Sequence, residues 1–212
     1  MAGRILRRGL VCALLTTGVA LGAAPAQAVT YDHDDAVGDA RTVGLDDEDG
    51  SGPFPLARQE RAVDITQLRV RHGKSRLIMR LETVDMTRRS IQSLGPAFLI
   101  RTPERRFEVD VSAVTYRGET VRYASLSRLP GGDVPCRGLF TDFDFTGDVV
   151  LVSIPRSCLD DPRRVTLKAA MVRTAGRTLF SLAGYFDSAM DDGRLRPLSS
   201  TPSIASGPRR AV

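Results

Sequence analysis

The amino-acid sequence predicts an all-β protein, an antiparallel β-sandwich of immunoglobulin-like or jelly-roll type with about nine or ten strands and one short helix at most. Short segments that alternate between polar and apolar residues follow one another along the chain, and polar turns separate them. Long helical patterns do not alternate with these segments, which argues against a parallel α/β sheet. The length of 212 residues and the hydrophobic content of 42% suit one domain with a sizeable core.

The first element, residues 1–28, has the three parts of a secretory signal peptide. Three arginines fall within the first eight residues, an apolar run extends from Leu10 to about Ala23, and Ala26-Gln27-Ala28 is a small-x-small cleavage site. The apolar run is too short for a transmembrane helix. We therefore predict cleavage after Ala28 and a secreted, extracellular protein, loosely associated with the cell wall and without a transmembrane segment.

Removal of the signal peptide brings the chain close to electrical neutrality. Lys and Arg number 30 and Asp and Glu number 25, but three arginines lie in the signal peptide, so the mature net charge is +2. Basic runs with interleaved aromatic residues do not occur, and we expect no nucleic-acid partner. The expected partner is an anionic polymer of the cell envelope or another protein. Exposed arginines that would hold such a polymer are predicted at Arg105, Arg106, Arg163 and Arg164.

The mature chain begins with a short strand and an acidic loop, predicted over 32–55, which holds eight carboxylates and one arginine. Because Ca²⁺ takes roughly 6–8 oxygen ligands, Asp32, Asp34 and Asp39 are a candidate metal site. Ca²⁺ is the only cofactor that the sequence suggests. The spacing departs from the helix-loop-helix calcium motif, since Ala36 stands at the third ligand position. The alternative is a solvated acidic loop.

Short strands make up the rest of the single predicted domain, 29–196. Between Arg76 and Thr83, for example, Leu77, Met79 and Leu81 alternate with polar residues and are expected to face the core. The predicted strands are Ala62–His72, Arg76–Thr83, Ala97–Thr102, Arg106–Tyr116, Thr120–Arg128, Leu139–Phe145, Val149–Pro155, Arg164–Arg173 and Arg177–Phe186.

Two further segments of the chain do not follow the strand pattern. Asp85 is a suitable cap for a short helix that ends at Gly95, because Ile91 and Leu94 have helical spacing. The tail, residues 197–212, is rich in Ser, Pro and Gly and is predicted to be disordered.

Two cysteines remain in the mature chain, Cys136 and Cys158, and they bracket the hairpin formed by the sixth and seventh predicted strands. If Phe145 pairs with Val149, the numbers of opposed residues sum to 294, and the two cysteines have the same sum. Opposed residues have Cβ atoms about 4.5–5.5 Å apart, which a disulfide can bridge after modest adjustment. An even cysteine count in an exported protein also favours a disulfide. We predict a Cys136–Cys158 disulfide that closes the open end of the hairpin.

Three stretches of the chain carry a resemblance: YDHDDAVGDA near the mature start, AVDITQLRVRHGKSRLIMRLETVD, and SIPRSCLDDPRRVTLKAAM. In these stretches the chain resembles a group of uncharacterised exported proteins of high-GC Gram-positive bacteria. That group is distantly similar to immunoglobulin-like or jelly-roll sandwiches that serve as carbohydrate- or ligand-binding modules. The resemblance covers most of the mature chain, implies a sandwich fold and assigns no functional residue.

The sequence leaves two classes of function open. Motifs such as GxSxG, HExxH and a phosphate-binding glycine loop do not occur, so no catalytic residue is assigned. Asp142 and Asp144 share one strand face, a position that strand alternation alone explains. We therefore predict a secreted, non-catalytic binding or structural module at the cell envelope or outside the cell. The alternative is a secreted hydrolase. The absence of Trp argues against tight binding of neutral polysaccharides.

Overall fold

Two antiparallel β-sheets pack against each other, which confirms the predicted β-sandwich. The computed structural model describes residues 28–43, 55–86, 93–116, 118–175, 183–189, 201 and 203–206, so the predicted signal peptide lies outside the described part except at Ala28. The strands are β1 Val29–Asp34, β2 Arg41–Val43, β3 Ile65–His72, β4 Arg76–Thr83, β5 Ser93–Arg101, β6 Arg106–Tyr116, β7 Glu119–Leu129, β8 Phe140–Asp144, β9 Val149–Pro155, β10 Arg164–Ala175, β11 Ala183–Ser188 and β12 Ile204–Ala205. One turn of 3₁₀ helix, Arg156–Leu159, follows β9.

The main paths of the two sheets contain five and six strands. The five-stranded sheet has the order β1-β3-β4-β9-β8, and the six-stranded sheet has the order β2-β11-β10-β5-β6-β7. The short strand β12 pairs with the first two residues of β10, and β11 pairs with β10 further along. Strand β10 therefore pairs with β12 at its beginning and with β11 towards its end.

Alternating apolar side chains build the core between the sheets, as the sequence predicts. On β4 the side chains of Leu77, Met79 and Leu81 are buried, and the residues between them are partly exposed. The six-stranded sheet contributes Phe98 and Phe107 to the same core. Burial of one large apolar side chain stabilises a fold by about 1.5–3 kcal/mol, so the contact between the sheets is the main source of stability.

The disulfide between Cys136 and Cys158 is present, but the register of the hairpin differs from the prediction by one residue. Asp144, not Phe145, pairs with Val149. The Asp144 carboxylate accepts hydrogen bonds from two backbone N–H groups of the turn, which explains why the turn is longer than predicted. The cysteines lie beyond the ladder, one in the loop before β8 and one in the 3₁₀ turn, with Cα atoms 5.5 Å apart.

Two predicted segments contain more strand than expected. The predicted acidic loop is wrong at its beginning and at β2, because Asp32 and Asp34 alternate with Tyr31 and His33 along β1. The predicted helix is wrong at its C-terminal end, where Ser93 begins β5 and strand alternation continues to Arg101. Its middle, residues 87–92, lies outside the described part of the chain.

The predicted disordered tail is wrong for a short stretch near the C-terminus. Strand β12 pairs with β10, and the side chain of Ile204 is 2% exposed. Thr201 is buried as well, and its N–H donates to the Leu167 carbonyl at 2.9 Å. The composition of residues 197–212 predicts disorder, but the apolar side chain of Ile204 fills a place at the edge of the core.

Candidate functional site

Four cationic residues lie together on the outer face of the six-stranded sheet: Arg101, Arg106, Arg164 and Lys168. We call them the basic patch. Their immediate neighbours within the strands are buried, so strand alternation directs the four cations outward. The register brings them together, because Arg101 on β5 pairs with Arg106 on β6 and with Thr166 on β10. Arg164 and Lys168 lie two residues to either side of Thr166.

The turn between β5 and β6 determines this arrangement. The Thr102 hydroxyl accepts hydrogen bonds from the N–H groups of Glu104 at 3.3 Å and Arg105 at 3.0 Å. The Thr102 N–H donates to the Arg105 carbonyl at 2.8 Å. Threonine hydroxyls stabilise tight turns in this way. The turn therefore holds Arg101 and Arg106 directly opposite each other on adjacent strands.

The basic patch has no carboxylate partner within the described part of the chain. Its four cations form no ion pair there, whereas the neighbouring Arg105 and Arg128 both pair with Asp160. Like charges that face each other directly across two strands destabilise a sheet. An anion between Arg101 and Arg106 would relieve this repulsion. The patch is therefore a candidate anion-binding surface.

Three open clefts adjoin at the basic patch, and Arg101 lines all of them. Their volumes are about 380, 190 and 420 Å³. The first cleft reaches Pro130, the second reaches Ser203 beside β12, and the third reaches Lys168. Small-molecule sites usually enclose most of their ligand, so these connected open clefts suit an extended, chain-like ligand better.

The structure places the predicted arginines in different settings. Arg106 and Arg164 belong to the basic patch, whereas Arg105 pairs with Asp160 at 3.0 Å. Arg163 is exposed directly before β10. Arg101 and Lys168 were not among the predicted residues. Both lie at outward positions of predicted strands, but only the pairing of β5 with β10 shows that they are neighbours.

A second polar group, the carboxylate cluster, lies at the other end of the sandwich and consists of Asp39, Asp64 and Asp187. One carboxylate oxygen of each residue lies within 4.8 Å of the others, and Asp64 and Asp187 are each 2% exposed. Asp64 directly precedes β3 in one sheet, Asp187 belongs to β11 in the other, and Asp39 precedes β2. The cluster therefore joins the two sheets.

Backbone N–H groups hold the carboxylate cluster in place. Asp187 accepts a hydrogen bond of 2.7 Å from the N–H of Ile65, which crosses from one sheet to the other. Both oxygens of Asp64 accept from the N–H of Gly38, at 2.9 and 3.0 Å. Gly38 has a φ of +91°, a conformation that favours glycine. The Gly-Asp pair in YDHDDAVGDA thus has a structural role.

Burial raises the pKa of Asp187 to about 7, and the negative charges of Asp39 and Asp64 contribute to the rise. Hydrogen bonds from the N–H groups of Ile65 and Ser188 oppose it. Burial also raises the pKa of Asp64, and backbone hydrogen bonds from Gly38 and Asp39 and the charge of Arg61 oppose the rise. Carboxylates this close cannot all carry a charge without compensation. The cluster can share a proton or hold a cation.

The structure separates the three residues of the predicted calcium site. Asp32 forms an ion pair with Arg69, and Asp34 accepts a hydrogen bond of 2.8 Å from the side chain of Gln67. Both carboxylates are exposed on β1, whereas Asp39 belongs to the carboxylate cluster. Among the described residues, that cluster is the group of carboxylates with metal-binding spacing. The calcium hypothesis stays a prediction for Asp39.

The end of the sandwich that carries the basic patch also buries a cation. Arg156 begins the 3₁₀ turn and is fully buried. Its guanidinium donates to the carbonyl of Lys74 at 2.9 Å and to the carbonyls of Asp161 and Pro162. Buried charges are tolerated when hydrogen bonds replace their hydration. Arg156 thereby ties the turn between β3 and β4 to the segment before β10.

Comparisons with known proteins give no evidence about the function of this chain. No protein-family model, no curated protein and no solved structure matches the chain. The resemblance to exported sandwich proteins therefore stays a prediction. Within the described residues, no helix has the length and apolar character needed to cross a membrane.

Proposed function

We propose that the chain is a secreted, non-catalytic binding module that attaches to an anionic polymer of the cell envelope through the basic patch. One observation carries this proposal: Arg101 and Arg106 face each other in a patch whose cations have no carboxylate partner among the described residues. Such an arrangement favours a negatively charged ligand. The three clefts that adjoin at Arg101 support a ligand with several contacts.

The spacing of the cations suits a polymer with repeated charges. Residues on adjacent strands lie about 5 Å apart, and residues two positions apart on one strand lie about 7 Å apart. Guanidinium groups bind phosphate and carboxylate with two parallel hydrogen bonds, which adds strength and orientation. Arg101, Arg106 and Arg164 can therefore contact successive anions of one chain. Simultaneous contacts on one polymer strengthen the overall binding.

Binding to defined polymers tests the proposal. We expect the mature protein, residues 29–212, to bind poly(glycerol phosphate) or polygalacturonate and not dextran, a neutral polymer. Binding should weaken steeply when the salt concentration rises from about 50 to about 300 mM, because salt screens exposed charges. Absence of binding to both anionic polymers at low salt would contradict the proposal.

Single substitutions identify the surface that binds. Arg101→Ala and Arg106→Ala should each weaken binding about tenfold, the usual effect of losing one charge-assisted hydrogen bond. The matched control is Arg71→Ala, an exposed arginine of β3 on the other sheet. Equal losses of binding in all three variants would show that the basic patch is not the binding surface. Salt-resistant retention on dextran that Tyr123→Ala abolishes would instead indicate a neutral glycan, because Tyr123 is 57% exposed.

Secretion has its own test. If the signal peptide is removed after Ala28, N-terminal sequencing of the exported protein begins with VTYDHD. An exported mature form that retains residues 1–28 would contradict this part of the proposal.

A secreted hydrolase is the second hypothesis, and the described carboxylates favour it less. Asp142 pairs with Arg122 at 3.2 Å, and Asp144 accepts hydrogen bonds within its own turn. Asp64 and Asp187 are too deeply buried to reach a substrate. Catalysis requires perturbed titratable groups in an accessible cleft. We therefore prefer the binding module.

A further inference from the structure

A small set of contacts holds β12 at the end of the sandwich that carries the basic patch. It pairs with Arg164 and Val165 of β10, and the N–H of Ser206 donates to the Arg163 carbonyl at 2.7 Å. The side chain of Ile204 is 2% exposed, so β12 contributes to the core as well as to the sheet. Ser203, next to β12, lines one of the clefts at the basic patch.

The fully buried His72, the last residue of β3, holds β12 through its ring. Its Nδ1 lies 3.0 Å from the Ile204 carbonyl. A carbonyl oxygen only accepts hydrogen bonds, so Nδ1 carries the proton and Nε2 is an acceptor. Nε2 is buried and has no hydrogen-bond partner among the described residues. A second proton on this ring would therefore create a buried N–H without an acceptor.

The surroundings of His72 disfavour a positive charge. Its ladder partners on β1 and β4, Val29 and Leu77, are apolar, and Ile204 lies against it from β12. Burial lowers the pKa of His72, the hydrogen bond to Ile204 opposes this effect, and the positive charge of Arg156 lowers the pKa further. The ring is therefore neutral while β12 is in place at neutral pH.

We propose that β12 is an acid-released strap: protonation of His72 disfavours the seated strand, so the fraction of molecules in which β12 has left β10 rises as the pH falls below about 6.5. The proposal goes beyond the proposed function and does not depend on it. Release of β12 would also remove the pairing of Arg164 and open the cleft that Ser203 lines.

Proton linkage gives the direction and the size of the effect. With β12 seated, the pKa of His72 lies below its ordinary value, and with β12 displaced the ring meets water and returns to about 6.5. The displaced state binds more protons between these two values, so acid favours it. Relative to pH 7.5, the displaced population rises by up to about 30-fold at pH 5.0.

Hydrogen exchange of the mature protein, measured by mass spectrometry at pH 7.5 and 5.0, tests the strap. After correction for intrinsic exchange rates, exchange in residues 201–206 should accelerate at pH 5.0, by up to about 30-fold. Exchange in β9, a central strand, should change much less. His72→Asn places an amide N–H near the position of Nδ1 and does not titrate, so it should remove the acceleration. His33→Asn, which changes the other histidine of the mature chain, should leave it intact.

Two results would overturn the strap. One is equal protection of residues 201–206 at both pH values in the wild type, and the other is the same acceleration in His72→Asn. If that variant does not fold, an NMR titration of the His72 ring in the wild type decides. A pKa at or above the ordinary value rejects the proposal, and a lower pKa with acid-accelerated exchange supports it.

Discussion

The two ends of strand β3 bury charged groups of opposite sign. At the end that precedes Ile65, three carboxylates lie within 4.8 Å of one another. At the end that follows His72, about 26 Å away along an eight-residue rise, the fully buried guanidinium of Arg156 donates to three carbonyl oxygens. The first group gathers like charges, and the second surrounds one charge with hydrogen-bond acceptors.

The difference follows from the chemistry of the two side chains. A carboxylate can lose its charge by binding a proton, and burial raises the pKa of Asp187 to about 7. A guanidinium stays protonated in proteins, so Arg156 needs acceptors that replace water. The carboxylate cluster is therefore expected to respond to pH, whereas the hydrogen bonds of Arg156 are expected to persist over the whole pH range in which the protein folds.

Loss of Arg156 should have the largest effect on stability. Arg156→Ala leaves three carbonyl oxygens without their donor and creates a cavity, which together lower the free energy of unfolding by about 4 kcal/mol. Urea denaturation measures this change. The control is Arg163→Ala at an exposed site nearby, for which we expect a change within about 0.5 kcal/mol. Equal, small effects of both substitutions would show that the buried guanidinium contributes little.

Removal of the disulfide should have the next largest effect. The double variant Cys136→Ser/Cys158→Ser restores freedom to an unfolded chain whose crosslink spans a sequence separation of 22, and should cost about 3 kcal/mol. Urea denaturation with and without reductant measures the loss. Reductant should lower the wild type to the level of the variant and leave the variant unchanged. A wild type that reductant does not affect would argue against the crosslink.

The carboxylate cluster should make stability fall as the pH rises. The pKa of Asp187 is raised to about 7 from its ordinary 3.8, so its stabilising contribution is complete below 3.8 and is lost as the pH passes 7. We expect a loss of about 2–3 kcal/mol between pH 4.5 and 7.5. His72 acts in the opposite direction, because its pKa is lowered and its contribution is lost below about 6.5.

Asp187→Asn separates these two contributions. The amide keeps an acceptor for the Ile65 N–H and does not ionise, so the variant should lose most of the decline and show the rise that His72 causes, while Asp64, whose pKa burial also raises, accounts for any decline that remains at lower pH. Thermal unfolding over a series of pH values measures both slopes. The control, Asp142→Asn on the exposed face of β8, should follow the wild type. If the stability of Asp187→Asn declines with rising pH as steeply as that of the wild type, the group that titrates is not Asp187.

The smallest effect is expected for the exposed carboxylates of β1. Asp32→Asn removes a surface ion pair with Arg69 and should change stability by under about 0.5 kcal/mol. Asp39→Asn should instead lower the pKa of Asp187, because the charge of Asp39 raises it. Melting temperatures with millimolar Ca²⁺ complete the comparison. A rise that Asp39→Asn abolishes and Asp32→Asn retains would locate a calcium site at the carboxylate cluster.

Local patterns predicted most of the fold, because strand alternation and turn residues act over a few positions. They recovered Arg76–Thr83 and Val149–Pro155 with the bounds that the structure shows, and they recovered the disulfide. The one-residue error in the hairpin arose from the side chain of Asp144, whose hydrogen bonds lengthen the turn. Strand β12 was missed because Ile204 is buried only through contacts with distant parts of the chain.

The two candidate sites could be predicted less well from the sequence than the fold could. The carboxylates of Asp39, Asp64 and Asp187 meet only after both sheets have assembled, and Asp64 and Asp187 lie far along the chain from the acidic segment that contains Asp39. Asp32 and Asp34 are close in sequence and share a strand face, but β3 provides partners for both. Proximity along the chain therefore indicated the wrong neighbours. The basic patch depends in the same way on the pairing of β5 with β10.

The position of Cys158 within the 3₁₀ turn that Arg156 begins gives this turn two independent anchors. One anchor is covalent and depends on the redox state of the surroundings, and the other is a set of hydrogen bonds that a reductant does not break. The turn can therefore adopt its native position before the disulfide forms. In that order of events, folding brings Cys158 to Cys136 and the native fold selects the crosslink.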